Sequence, residues 1–212
     1  MKGEKNVAYF PFFVDIEGMN ILIVGGGTVA LRKAEKLLPY GGAITVAAPE
    51  LCDELRALPG VRLVREPFND SMLEGADIVI AATNDRKLNR HIYDACRERK
   101  IPVNSVDCKS ECTFIFPSLV KRGALSVGIS TSGASPSAAI WLKERINALL
   151  PDNMEELIEY LDRLRPYVKE RIFTEAERAT VFKAAFSKCM SEGRVLTEHE
   201  LNAIISEVQE HE

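Results

Sequence analysis

A glycine triplet set between an apolar run and an amphipathic segment constrains this 212-residue chain more than any other feature. Residues 21–24, Ile-Leu-Ile-Val, read as a buried parallel strand, and Gly25-Gly26-Gly27-Thr28-Val29-Ala30 follows directly. An amphipathic helix then runs to about Tyr40, where Gly41-Gly42 stops it. Strand, turn and helix in this order carry the G-x-G-x-x-A form of a dinucleotide-binding turn. Gly25 permits the tight turn, Gly27 lets the backbone approach a pyrophosphate, and Ala30 lets the helix pack close on the strand. The helix N-terminus presents free N–H groups and a positive dipole end to phosphates. Gly25, Gly26, Gly27, Thr28 and Val29 are therefore candidate cofactor-binding residues.

Strand and helix patterns alternate through the first half of the chain. Further strands are expected at residues 44–47, 61–64, 77–81 and 101–104, with a short helix at 49–58 and a longer one at about 87–99. Such alternation implies an α/β fold with a parallel, doubly wound sheet, whose ligands bind outside the carboxyl ends of the strands. Those ends carry Gly25–Thr28, then Pro49 and Glu50, then Thr83, Asn84 and Asp85, then the loop that includes Asp107. Glu50 lies 23 residues beyond Gly27, near the distance at which an acid holds the adenosine ribose. No Arg or Lys occurs between Ala43 and Leu55 to meet a 2′-phosphate, which favours NAD over NADP. A second reading makes Pro49 the first helical residue and Glu50 a complement to the helix dipole, and the two are compatible.

The second half changes character near Thr113. Residues 113–116 and 125–129 read as strands separated by a polar turn at Lys121-Arg122-Gly123. A loop of small residues follows at 130–137, in which Ser135 caps and Pro136 opens a helix to Leu150. Asp152, Thr174 and Thr197, each followed three residues later by Glu, mark three further helix starts, with Gly193 as a stop. Pro166 is expected to end or kink the first of these helices.

Bulk properties exclude several classes. A formal net charge of -4 leaves no electrostatic footprint for nucleic acid, and no nucleic-acid partner is expected. No apolar run approaches the roughly 20 residues of a membrane span, and no secretory segment follows Met1. Five scattered cysteines, an odd number, suit reduced thiols in a cytoplasmic protein. Cys108 and Cys112 lack a nearby His or third Cys to complete a metal set, so no metal site is expected. No catalytic role falls to His91, His199 or His211.

The order of motifs resembles the precorrin-2 dehydrogenase (sirohydrochlorin synthase) family, which includes the amino-terminal half of siroheme synthase and a bifunctional dehydrogenase/chelatase. The resemblance rests on Tyr9-Phe-Pro-Phe-Phe-Val14, on Val24 to Ala30 with Arg32-Lys33, and on Ala47-Ala-Pro-Glu50. It continues in Ala81-Ala-Thr-Asn-Asp85 with Asn89, Val103-Asn-Ser-Val-Asp107, Phe114-Ile-Phe-Pro117 and Ile129-Ser-Thr-Ser-Gly-Ala-Ser-Pro136. Essentially the whole chain takes part, most loosely beyond Pro166.

What the resemblance implies is a homodimer with an NAD-binding Rossmann domain at residues 1–112, a small strand-containing dimerisation region at 113–150 and a helical C-terminal domain at 151–212. It implies NAD-dependent oxidation of precorrin-2 to sirohydrochlorin, with iron or cobalt insertion in some members only. A fused methyltransferase half, present in three-function relatives, is not expected here. The resemblance makes Asp107 the catalytic acid/base candidate, and adds Thr83, Asn84 and Asn104 to the cofactor candidates. It assigns the substrate to Ser130, Thr131, Ser132, Gly133 and Ser135. The carboxylate-rich substrate needs cations, for which Lys121, Arg122, Arg163, Arg165, Lys169 and Arg171 are candidates, although each also fits a solvated face. Asp107 also fits a turn cap. Two other readings stay open, an NAD-sensing regulatory module and a metal chelatase with secondary dehydrogenase activity.

Overall fold

The computed structural model describes residues 9–106 and 108–210. It divides into two compact units, one ending at Phe116 and the other beginning at Pro117.

The first unit is built on a five-stranded parallel sheet of order β3-β2-β1-β4-β5. The strands are β1 (Asn20–Val24), β2 (Ala43–Ala47), β3 (Val61–Val64), β4 (Ile78–Ala81) and β5 (Val103–Ser105). β1 lies central, pairing Val24 with Ala47 on one side and with Ala81 on the other. Its alternate side chains enter two different cores, as period-two geometry requires of a strand covered on both faces. Ile21 and Ile23 pack with Ala30 and Ala34 of helix α1 (Thr28–Leu37). Leu22 and Val24 pack with Ile92, Ala95 and Cys96 of helix α3 (Arg86–Glu98). Ile23 is wholly buried, so truncating it to Ala should cost about 2–5 kcal/mol. The doubly wound α/β reading of the sequence therefore holds.

Local departures from the expected elements have identifiable causes. Helix α2 is only Asp53–Ala57, so Pro49 and Glu50 precede it in irregular backbone rather than opening a helix. Residues 113–116 do not form a strand. Thr113 donates its N–H to the Val103 carbonyl (2.8 Å), and its hydroxyl accepts from the Val103 N–H (2.8 Å). Asn104 meets Cys112 in an isolated antiparallel bridge. The apolar pattern is real, but Phe116 uses it to pack on the first core instead of entering a sheet.

In the second unit, β6 (Ser118–Arg122) pairs antiparallel with β7 (Leu125–Ile129). The turn falls at Gly123, whose φ of 53° suits glycine, so Lys121 and Arg122 belong to the strand rather than the turn. Helix α4 (Pro136–Leu149) packs on this hairpin, capped by Ser135, whose side chain accepts from the Ala138 N–H (3.2 Å). Helices α5 (Met154–Arg171), α6 (Glu175–Glu192) and α7 (Glu198–Glu210) enclose a core that includes Leu157, Val168, Val181 and Ile205. Thr174/Glu177 and Thr197/Glu200 form the expected reciprocal caps. The Asp152 start differs: Asn153 is the N-cap of α5, and its amide donates to the Gly193 carbonyl (2.8 Å). Pro166 neither ends α5 nor marks its boundary, because Leu164 and Val168 on either side are locked into the core. Among the described residues, no helix is long and apolar enough to cross a membrane.

Candidate nucleotide-binding site

The carboxyl ends of β1, β2 and β4 open into a cleft of about 380 Å³ within the first unit. Val24, Gly25 and Gly26 form one side, Ala47 to Glu50 another, and Pro67, Phe68, Thr83 and Leu88 complete it. The glycine turn is fixed by its neighbours. The Gly25 N–H donates to the Ala47 carbonyl (2.9 Å), and the Cys52 N–H donates to the Gly26 carbonyl (2.8 Å). Gly25 has φ +128°, and a β-carbon there would overlap the Ala82 carbonyl. A β-carbon on Gly26 would overlap the Glu50 carbonyl, which closes the turn against the loop after β2.

Gly27 differs from both. Its φ of -93° is ordinary, and a β-carbon there would meet no protein atom within 4 Å. This glycine borders open space at the start of α1, where the first-turn N–H groups of Thr28 and Val29 have no intrahelical acceptor. An anion placed there would meet unpaired donors and the positive end of the helix dipole. The cradle fits a pyrophosphate, and Glu50 stands exposed on the opposite lip. Among the described residues, no lysine or arginine lines the cleft.

Thr83 reaches the cleft through a network that sequence reading left out. Its N–H and hydroxyl both donate to Asn89 Oδ1 (3.2 and 2.7 Å), and Asn89 Nδ2 donates to the Thr83 carbonyl (3.0 Å). Asn89 is buried on α3, so it fixes the turn after β4 from beneath. Asp85 caps α3 by accepting from the Lys87 and Leu88 N–H groups, while Asn84 is exposed beside it. Phe68 and Leu88 also went unnoticed. Phe68 belongs to no periodic element, and only the folded chain shows what it faces.

Beyond β5, Asn104 is buried, and its amide donates to the Phe114 carbonyl (3.0 Å) and the Cys112 sulfur (3.5 Å). The Cys112 thiol donates to the Ser105 carbonyl (3.1 Å), and burial pushes its pKa up. Both Cys108 and Cys112 are free and partly buried, and no cluster suited to a metal ion occurs among the described residues. Asp107, the catalytic candidate, lies outside the described residues. His91 sits exposed on α3 against Asp70 (2.7 Å).

The small-residue loop of the second unit is self-bonded. Thr131 Oγ1 donates to the Ser135 carbonyl and accepts from its N–H (both 3.0 Å), while Ser130 Oγ accepts from the Ser132 N–H (3.0 Å). Ser132 and Gly133 both have positive φ, 53° and 81°, which gives the loop a tight reversal. Among the basic candidates, Lys121 donates to the Gly123 carbonyl (2.8 Å) and Arg122 to Asn147 (3.3 Å). Arg165 and Arg171 pair with Asp162 and Glu170 on solvated helix faces.

Residues 12–118 match the family described as "Putative NAD(P)-binding". The chain belongs to this NAD(P)-binding family. Its matched span contains the whole five-stranded sheet and every residue lining the cleft. The chain is also 39% identical over 182 residues to a siroheme synthase of Photorhabdus laumondii, covering 84% of this chain and 39% of that protein. A siroheme synthase of Mannheimia succiniciproducens is 32% identical over 204 residues, covering 95% of this chain and 42% of that protein. The chain thus spans about two fifths of the length of the curated relatives it matches. A solved structure titled "SirC, precorrin-2 dehydrogenase" shares the fold, with a TM-score of 0.69 and 24% identity, covering 95% of this chain and 100% of that chain. The NAD(P)-binding match ends before the loop at residues 130–135, so that loop lies outside the family span.

Proposed function

We propose that the chain catalyses the NAD-dependent dehydrogenation of precorrin-2 to sirohydrochlorin, a step in making siroheme. The alignment with siroheme synthases over most of the chain carries this reading. The cleft supports it, since it combines an open phosphate cradle with an acid and no basic residue.

Gly25 to Val29 would hold the pyrophosphate of NAD, Glu50 would accept from its ribose hydroxyls, and Phe68 and Leu88 would offer its adenine an apolar wall. NAD selects over NADP because Glu50 repels a 2′-phosphate and no cation lines the cleft to neutralise one. When bound, the nicotinamide supplies the hydride acceptor. Asp107 takes the proton that leaves with the hydride, so precorrin-2 and NAD⁺ give sirohydrochlorin, NADH and a proton. Asn104 ties the strand end before Asp107 to the Phe114 backbone. Ser130 to Ser135 supply hydroxyl and N–H donors to substrate carboxylates. The active form is a homodimer, and the free cysteines suit a reducing cytoplasm.

The test is direct. Purified protein with NAD, under anaerobic conditions, should convert precorrin-2 to sirohydrochlorin with equimolar NADH. Absence of both products would overturn the reading.

A further inference from the structure

Among the described residues of the first unit, three polar atoms are buried without a hydrogen-bond partner: the Tyr9 hydroxyl, Asn104 Oδ1 and the Ser105 hydroxyl. Asn104 and Ser105 are only 5% and 4% exposed, so solvent does not replace the missing bonds at the residue level. An unpaired buried polar group costs about 1–3 kcal/mol, so each needs a reason; Ser105 lies on the α3 face of the sheet, whereas Asn104 lies on the face of α1.

Tyr9 and Asn104 share a neighbour in Cys112. Its thiol donates to the Ser105 carbonyl, and its sulfur receives the Asn104 amide. Tyr9 and Lys33 both lie within electrostatic reach of that thiol. Lys33 projects from α1 with its ammonium 3.7 Å from the centre of the Phe116 ring. It has no carboxylate partner among the described residues, and burial, then Lys36, push its pKa down to about 8. A half-buried ammonium facing a ring and a thiol lacks a counter-charge.

The chemistry of the gap follows from the inventory. Lys33 and Tyr9 each offer a donor, whereas Asn104 Oδ1 offers an acceptor. One carboxylate oxygen pair satisfies the donors, and an N–H from the same molecule satisfies the acceptor. We propose that Lys33 and Tyr9 form a subsite for one side-chain carboxylate of the tetrapyrrole substrate, with Asn104 Oδ1 accepting from an N–H of that molecule. The inference rests on the function proposed above and assigns a substrate contact within it. NAD also carries anions and a carboxamide N–H. Its phosphates, however, have their own cradle at Thr28, five residues and about 7.5 Å along α1 from Lys33.

The experiment uses sirohydrochlorin and NAD as separate probes on the whole chain. Lys33→Met should weaken sirohydrochlorin binding by about ten- to a hundred-fold, the range of a charge-assisted hydrogen bond, and leave NAD affinity within about two-fold. Lys33→Arg should recover most of that loss. In the wild type, trinitrobenzenesulfonate labelling of Lys33 should be blocked by sirohydrochlorin and not by NAD alone. Unchanged sirohydrochlorin affinity in Lys33→Met, or protection by NAD alone, would overturn the subsite and leave the dehydrogenase reading standing. A wild type that binds no sirohydrochlorin would instead sink that reading, and the subsite with it. Should Lys33→Met fail to fold, the labelling pattern of the wild type decides.

Discussion

Gly26 and the backbone carbonyl of Glu50 approach so closely that any β-carbon at residue 26 would overlap the carbonyl oxygen. The glycine turn and the ribose-side loop are therefore one rigid unit, and the two neighbouring glycines have different duties. Gly26→Ala should push the two loops apart and cost about 1–3 kcal/mol of stability, the usual penalty of overpacking, together with most NAD affinity. Gly27→Leu places its side chain in open space, so it should leave the melting temperature within a degree or two while abolishing NAD binding, about 4 °C being a 1 kcal/mol change in a chain of this size. Thermal unfolding and NAD titration of both variants check the contrast. A stable Gly26→Ala with normal affinity would show that the contact yields.

In the function proposed above, Glu50 sets the cofactor preference. The wild type should bind NAD at least about ten-fold more tightly than NADP, since the 2′-phosphate would meet a carboxylate and no cation. Glu50→Ser should lose about ten- to a hundred-fold in NAD affinity, the value of a charged hydrogen bond to the ribose, and narrow the ratio. Equal affinities in the wild type would remove Glu50 from the ribose.

The sequence made the cleft legible where chemistry and spacing coincide. Gly25 could be read directly because its positive φ answers a local requirement of the turn, and spacing alone put Glu50 at the cleft. Gly26 could not, since its constraint comes from the Glu50 carbonyl, a neighbour in space. Asn89 stood out only through the resemblance, and its role escaped for the same reason: on a helix pattern it is one polar residue among several, and only the fold aims it at Thr83. The apolar run at Phe114–Phe116 looked like a strand because hydrophobicity reports burial and not pairing. The strand that does form, at Ser118–Arg122, carries Lys121 and Arg122 and so read as a turn. Pro166 shows the converse, a local breaker overridden by the core residues around it.

Asp107→Asn should reduce dehydrogenation by about 10²–10⁴-fold, the range for loss of a positioned acid/base. NAD affinity should stay within about two-fold, because the phosphate and ribose contacts proposed here come from the loops after β1 and β2. Steady-state turnover and cofactor titration separate the two effects. Retention of most turnover would assign the proton to another group.

Lys33 makes stability depend on pH in a stated direction. Burial above all pushes its folded pKa down to about 8, below the ordinary lysine value of 10.5. Between these values the unfolded chain binds more protons than the folded one, so stability rises with pH across that window. Below about pH 8 both states are protonated and the full burial penalty applies. Lys33→Met should therefore be more stable than the wild type at neutral pH, with the advantage shrinking as pH climbs from about 8 toward 10.5. Denaturant titrations at several pH values check this. An advantage independent of pH would mean that Lys33 is freely hydrated.

Assembly follows from what the second unit leaves uncovered. β6 and β7 form a sheet of only two strands, which is marginal in water unless something packs on it. Helix α4 supplies one cover, yet it leaves Ile140 52% and Trp141 54% exposed at adjacent positions. A second copy of the same face would bury both residues symmetrically in an isologous contact. The wild type should accordingly run as a homodimer in light scattering. Trp141 is the chain's one tryptophan, so its emission should shift to the red on dilution as the face becomes wet. Ile140→Asp combined with Trp141→Glu should give monomers with much reduced activity and an intact NAD site, because the cleft is built wholly from residues before Phe116. A stable, active wild-type monomer at micromolar concentration would refute the dimer and leave this apolar face without a function.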